Sequence, residues 1–474
     1  VPPDGIDPGG NRTMQERTLD QMTATSYSLN ENNGQFLWQP MTHPAESRRN
    51  PPKVIIGAQG VEIIDIDGRR ILDALAGGLW NVNLGFSCEP VKRAIANQLD
   101  ELPYHSAFRG MVSAPTVELS HELIQWTRPE GMARAFFTSG GSDSVETSLR
   151  LARQYHKVRG EPSRTKFISL KGSYHGTHFA GASVTGNARF RTQYEPLLAG
   201  CFHVAGPNTF DNEFNESDPA VLADRCINAL EAEIAFQDAS TVAAFIMEPI
   251  QGAGGVHVPH ETYMPRVREI CDLNGILLIA DEVITGFGRS GAWFGSRLWG
   301  VQPDMMCLAK AITNGYFPFG ACLVSDTIAE VFETNESSSS YIAHGYTYSG
   351  HPVGAAAALA TLAETKRLGV NDNAAARGSQ LHHGLLGLQD RFDIVGDVRG
   401  GRGLAHALEL VSDRETKAAL SGALVDRIHE AIYDAGVSVR VSGNKIILSP
   451  ALIIEPSHVE QIVEAIGVGL EVGS

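Results

Sequence analysis

Two side chains in this sequence stand where they could do chemistry together. The apolar run Ile276-Leu277-Leu278-Ile279-Ala280 delivers Asp281, and Met305-Met306-Cys307-Leu308-Ala309 delivers Lys310. A lysine shielded from water loses part of its preference for the charged form and becomes an amine nucleophile able to form a Schiff base. An aspartate beside a pyridine nitrogen keeps that nitrogen protonated, and the ring then acts as an electron sink. The pair therefore meets the requirements of pyridoxal 5′-phosphate (PLP) chemistry. Taken alone, an Asp or a Lys at a strand end is more often a helix cap or a snorkelling cation, so the context of the pair decides.

The elements that must position them are legible as patterns. Short unbroken apolar runs fit strands buried on both faces, as in a parallel sheet. Ligands of open α/β sheets collect outside the carboxyl ends of the strands, so Asp281 and Lys310 are expected to face one crevice. Ala135-Phe136-Phe137-Thr138 reads as a strand, Ser139-Gly140-Gly141-Ser142 as a small-residue turn, and Asp143 onward as a helix. Free N–H groups at a helix start, with glycines allowing close approach, suit a phosphate, although ordinary helix entry uses the same residue types. Lys166–Lys171 is a strand leading into Gly172-Ser173-Tyr174-His175-Gly176, and Thr241–Met247 is a strand that ends in Glu248. His175 and His178 form an HxxH pair without an intervening Glu or an evident third ligand, so no metal is expected.

From Val353 the pattern changes to an Ala-rich helix, glycine-led strands over 397–410, a hairpin over 436–450 and a last helix starting near Glu455. Upstream, Gly60–Arg70 reads as a hairpin through its Asp67-Gly68 turn. The expected organisation is a leader or disordered arm over 1–21, an N-terminal segment over 22–80 that packs with a small domain, a large PLP-binding domain over 81–345, and a small domain over 346–474.

The chain has 474 residues, a formal net charge of −16 and six dispersed cysteines without CxxC spacing. The acidic balance argues against nucleic acid or an anionic membrane surface as partner. The apolar runs are near strand length, so no transmembrane helix is expected. The cysteines read as reduced thiols of a cytoplasmic protein.

Asp281-Glu282-Val283, Gly286-Phe287-Gly288-Arg289, and Lys310 followed by Asn314-Gly315 and Pro318 resemble the class III aminotransferases, PLP enzymes of fold type I. The β-alanine or ω-amino acid:pyruvate transaminases are the nearest in kind, and the resemblance runs from about Trp38 to the C-terminus. It implies an α/β fold with a large domain around a mostly parallel sheet and a smaller α+β domain built from the N- and C-terminal segments. It implies that Lys310 holds PLP as a Schiff base, that Asp281 protonates the ring, that Gly141 and Ser142 contact the phosphate, and that Tyr174 and Val283 cover the two ring faces. His175 and Glu248 would complete the cofactor site, and Tyr346 and Thr347 would reach the phosphate of a second subunit. Substrate contacts would come from Trp80, Phe108 (from the partner subunit), Tyr174, Ala253 and Arg440, the last recognising a carboxylate. At 139, 140, 143 and 144 the chain has Ser, Gly, Asp and Ser where the family pattern has Asn, Ser, Glu and Ala, which bears on side-chain details at the phosphate. The activity implied is amino transfer from an ω-amino acid or primary amine to a 2-oxo acid, pyruvate first, in a homodimer with shared sites; pairing into tetramers stays open. The alternatives are transfer to 2-oxoglutarate, a PLP aminomutase or decarboxylase, and a silent PLP-binding protein.

Overall fold

The computed structural model describes Leu29 and residues 32–473; the leader or arm expected over 1–21 lies outside them. The chain divides into two units, residues 1–71 and 72–474. Within the first, strands Ile55–Gln59 and Glu62–Asp65 pair antiparallel. The turn after them is held by Asp65, whose carboxylate accepts from the backbone N–H groups of Asp67 and Arg69.

The second unit contains a seven-stranded sheet. Its strands are β1 (Met132–Thr138), β2 (Lys166–Leu170), β3 (Cys201–Val204), β4 (Val242–Met247), β5 (Leu277–Asp281), β6 (Met305–Leu308) and β7 (Gly320–Ser325), in the order β1-β7-β6-β5-β4-β2-β3. The neighbours from β3 to β6 all run parallel. β7 is inserted antiparallel between β1 and β6.

Alternate residues of the central strands enter two different cores, as a period of two requires. Ile246, Ile279 and Cys307 pack with Val145, Leu149 and Ala152 of α1 (Gly141–Val158). Phe245, Leu278 and Met306 pack on the other face with Leu222, Leu230 and Val267 from helices Pro219–Gln237 and Tyr263–Asn274. Covered on both sides, these strands have no polar face, which is why they read as continuous apolar runs.

A second sheet follows, with strands β8 (Val395–Arg399), β9 (His406–Asp413), β10 (Arg440–Ser442) and β11 (Lys445–Leu448) in the order β8-β9-β11-β10, all antiparallel. The last helix, Pro456–Glu471, opens on a capping box between Glu455 and His458. Among the described residues no helix is long and apolar enough to cross a membrane.

Candidate active site

The carboxyl ends of the parallel strands converge on one cavity of about 140 Å³, lined by Gly141, Ser142, Tyr174, His175, Glu248, Asp281, Val283 and Lys310, with Val145, Gly176 and Ile284. β5 ends in Asp281 and β6 leads through Ala309 to Lys310, so two residues 29 positions apart are set side by side by one parallel pairing. Lys310 has a left-handed backbone, φ 51°. Asn314 holds the turn behind it: its side chain accepts from Leu84 N at 2.7 Å and donates to Gly85 O at 2.9 Å.

Lys310 is only partly exposed. The loss of water around its amine pushes its pKa down to about 8; Asp281 and Glu248 oppose the shift and Arg440 adds to it. Asp281 is buried, and its Oδ2 lies 2.8 Å from His175 Nδ1. His175 Nε2 is buried with no hydrogen-bond partner among the described residues. His178, the other half of the HxxH pair, instead meets Asp143 at 2.6 Å.

Glu248, at the end of β4, accepts from Tyr174 N at 3.0 Å and Gly252 N at 2.8 Å. Burial raises its pKa to about 7, with the neighbouring Asp281 contributing in the same direction. One carboxylate thus fixes both the tyrosine and the start of the loop that carries Ala253. Ala253 itself is half-buried in that loop.

The turn before α1 is a cradle that larger residues would fill. A Cβ on Gly141 would lie 3.0 Å from Val283, and one on Gly176 would lie 2.8 Å from Ser142 Oγ. The departures from the family pattern form their own network: Asp143 accepts from Ser139 N at 3.0 Å, and the Thr138 and Ser144 hydroxyls are 2.7 Å apart. The N-terminus of α1 behind this turn is a site of positive potential for an anion.

Trp80 is buried, with φ 59°. Its ring lies 5.6 Å from Lys310 Nζ and 5.4 Å from Arg440 Cζ. Phe108 and the 341–350 segment are elsewhere, around a separate cleft of about 1020 Å³. Tyr346 donates its hydroxyl to Asp143 O at 3.0 Å, and Thr347 O accepts from Tyr104 at 2.8 Å. Within one chain, then, Phe108, Tyr346 and Thr347 are not brought to the Lys310 cavity.

Two residues of the DEV–GFGR block tie the surroundings together, which their motif alone does not reveal. Glu282 is fully buried and accepts from Gly295 N, Ser296 N and Ser296 Oγ at 2.7–2.8 Å. Arg289 is buried and donates to Leu404 O, Pro450 O and Asn83 Oδ1 at 2.8, 2.6 and 2.6 Å, joining three distant segments.

A lysine with a depressed pKa beside an acid, an unpartnered histidine nitrogen and a glycine cradle at a helix N-terminus fit a phosphorylated pyridine aldehyde, and so define a PLP enzyme of the α/β type. The comparisons agree. The aminotransferase class-III family matches residues 44–468. The putrescine–pyruvate aminotransferase of Pseudomonas aeruginosa is 38% identical over 90% of this chain and 91% of its own. The omega-aminotransferase of Caulobacter vibrioides is 38% identical over 90% of this chain and 95% of its own. The PLP-bound structure of an amine transaminase from an uncultivated Pseudomonas species is 48% identical, with a TM-score of 0.90 over 92% of this chain and 98% of that one. The chain belongs to the class III aminotransferase family. It is a PLP-dependent aminotransferase of fold type I, close to the omega-transaminases.

Proposed function

We propose that the protein moves an amino group from an ω-amino acid or primary amine to pyruvate, giving alanine and an aldehyde, ketone or oxo acid. The observation that carries this reading is the meeting of Lys310 and Asp281 at neighbouring strand ends over one glycine-lined cavity. Support for pyruvate as acceptor comes from the similarity to an enzyme named for putrescine and pyruvate.

When bound, PLP supplies an aldehyde that condenses with amines and a ring that draws off electrons. The backbone of Gly141 and Ser142 would hold its phosphate, and Tyr174 and Val283, which line the same cavity, would cover its ring. Asp281, oriented by His175, would keep a proton on the ring nitrogen. Glu248 fixes the tyrosine backbone and borders the acid. Lys310 Nζ would hold the cofactor and, as a free amine, would take a proton from the reacting carbon and return it; a pKa near 8 suits both directions close to neutral pH. Arg440 presents a planar fork of donors to the carboxylate of the acceptor, and Trp80 closes the wall between the two cations. Ala253 sets the width of the small side of the pocket.

The protein acts as a homodimer in which Phe108, Tyr346 and Thr347 complete the partner's site, with the large and small domains divided near 345. Its location is cytoplasmic, a placement that six unpaired cysteines support. A panel of amine donors tests the activity. With pyruvate it forms alanine, and with 2-oxoglutarate far less glutamate. Turnover without any oxo acid sinks the reading in favour of a mutase or decarboxylase.

A further inference from the structure

The turn that lies over Tyr174 carries a cation that the reading above does not use. Arg189 sits in the short turn Ala188–Phe190. Its neighbour Phe190 packs on Tyr174, ring centroids 4.8 Å apart, which seats the turn on the pocket wall. Arg189 Nη1 donates to Ser442 Oγ at 3.3 Å. Ser442 and Arg440 are two apart on β10, so their side chains leave the same face of the strand. The two guanidiniums are therefore neighbours. After burial, the charge of Arg189 is the next cause that lowers the pKa of Arg440.

Among the described residues neither guanidinium forms an ion pair with a carboxylate. Other arginines of this protein do: Arg399 with Asp397 and Glu409, Arg297 with Glu130, Arg268 with Asp272 and Asp304. Two like charges held together without an acid repel one another. An anion that bridges or pairs with them turns that repulsion into binding, and a guanidinium is well shaped for a carboxylate.

We propose that Arg189 is a specificity residue that holds a substrate carboxylate remote from the reacting carbon, leaving Arg440 for a carboxylate beside it. The ligand class is the ω-amino carboxylates, and with them dicarboxylates of similar length. Amines without an acid group use the same pocket but leave Arg189 in solvent. The inference rests on the transamination reading.

The test uses the holoenzyme with pyruvate and two donors of equal length, 4-aminobutanoate and butylamine. In Arg189→Ala the ratio of kcat/KM for the acid donor over the plain amine falls about ten- to a hundredfold, the range of a charge-assisted hydrogen bond. Arg189→Lys recovers part of the ratio. A ratio within about twofold of wild type overturns the proposal, as does a loss carried by the KM of pyruvate instead. Glutarate, which has two carboxylates and no amine, provides an arm without turnover. By calorimetry its Kd for the holoenzyme rises at least about tenfold in Arg189→Ala, and an unaltered Kd counts against the assignment. If the wild type transfers no amino group to any oxo acid, the transamination reading fails while the glutarate arm still decides on Arg189. Arg189→Gln serves the same comparisons should the alanine variant fold poorly.

Discussion

Lys310 and Glu248 are both ionisable groups that burial moves toward neutrality, and their roles differ through what each touches. Lys310 faces the cavity from a left-handed backbone position, a conformation that costs an ordinary residue about 1–2 kcal/mol. Lys310→Ala keeps the cradle and removes the amine. The expected result is loss of the visible absorbance of the lysine-bound cofactor and a fall in turnover of at least about a thousandfold, the scale of acid–base and covalent catalysis combined. Retention of either would remove the central assignment. Glu248 yields a prediction about stability. Its pKa is raised from 4.5 to about 7, chiefly by burial. Between those values the folded protein keeps a proton that the unfolded chain has released. The contribution is therefore fully present below pH 4.5 and is lost as the pH rises through 7. Glu248→Gln cannot titrate, although one of the two backbone N–H groups loses its acceptor. Relative to wild type, the cofactor-free variant should gain about 1–3 kcal/mol between pH 5 and 8. Thermal melts across that range check it, and a constant offset at every pH would rule it out.

At the scale of elements, the site is a set of strand ends and the first turn of α1, and its tolerance is set by how closely those pieces approach. Gly176 (φ 98°) and Gly160 (φ 83°) both use left-handed backbone. A Cβ on Gly176 would lie 2.8–2.9 Å from Ser142, whereas one on Gly160 meets nothing within 4 Å. Both alanine variants incur strain of about 1–2 kcal/mol, but only Gly176→Ala pushes on the cradle. Its Kd for PLP, measured by fluorescence titration, should rise at least about tenfold over that of Gly160→Ala; equal values would mean that the cradle is not where the phosphate is held. Much of this element layout could be read in the chain. β4, β5 and β6 announce themselves as apolar runs because both faces are covered, and each leads within two residues to one that lines the cavity. The strand, small-residue turn and helix around Gly140 and the β10–β11 hairpin were legible from local residue types, although α1 begins two residues earlier, at Gly141. The antiparallel insertion of β7 between β1 and β6 was not, since Gly320–Ser325 is as apolar as its parallel neighbours and periodicity carries no direction. Nor were the ties of Arg289 to Leu404, Pro450 and Asn83, or the approach of Arg189 to Ser442, because each joins residues more than one hundred positions apart. Sequence spacing reports such pairs only when a family motif happens to include them.

For the whole molecule, the proposed homodimer would bring to each site the residues Phe108, Tyr346 and Thr347 that one chain leaves outside it. Tyr104 and Phe108 lie against the 341–350 segment: Tyr104 bonds Thr347 O, and a Cβ on Gly345 would lie 2.9 Å from Phe108. Phe108, Val112, Tyr341 and Ile342 are all exposed around the cleft there. On the proposed homodimer these exposed apolar side chains are the contact, and a second copy in two-fold symmetry would bury them against the same surface of its partner. Placing aspartates at Val112 and Ile342 should convert the protein to the mass of one chain in sedimentation and abolish turnover. Complementation is a sharper test. Lys310→Ala and Thr347→Ala are each expected to be impaired, but in a mixed dimer one site has an intact Lys310 from one subunit and an intact Thr347 from the other. Random reassociation makes half of the dimers mixed, and half of the sites in those are complete, so activity should return to about a quarter of wild type if the two-fold arrangement holds. Failure to recover any activity on mixing, with mixed dimers verified by tagged pull-down, would mean that each site draws all its residues from a single chain.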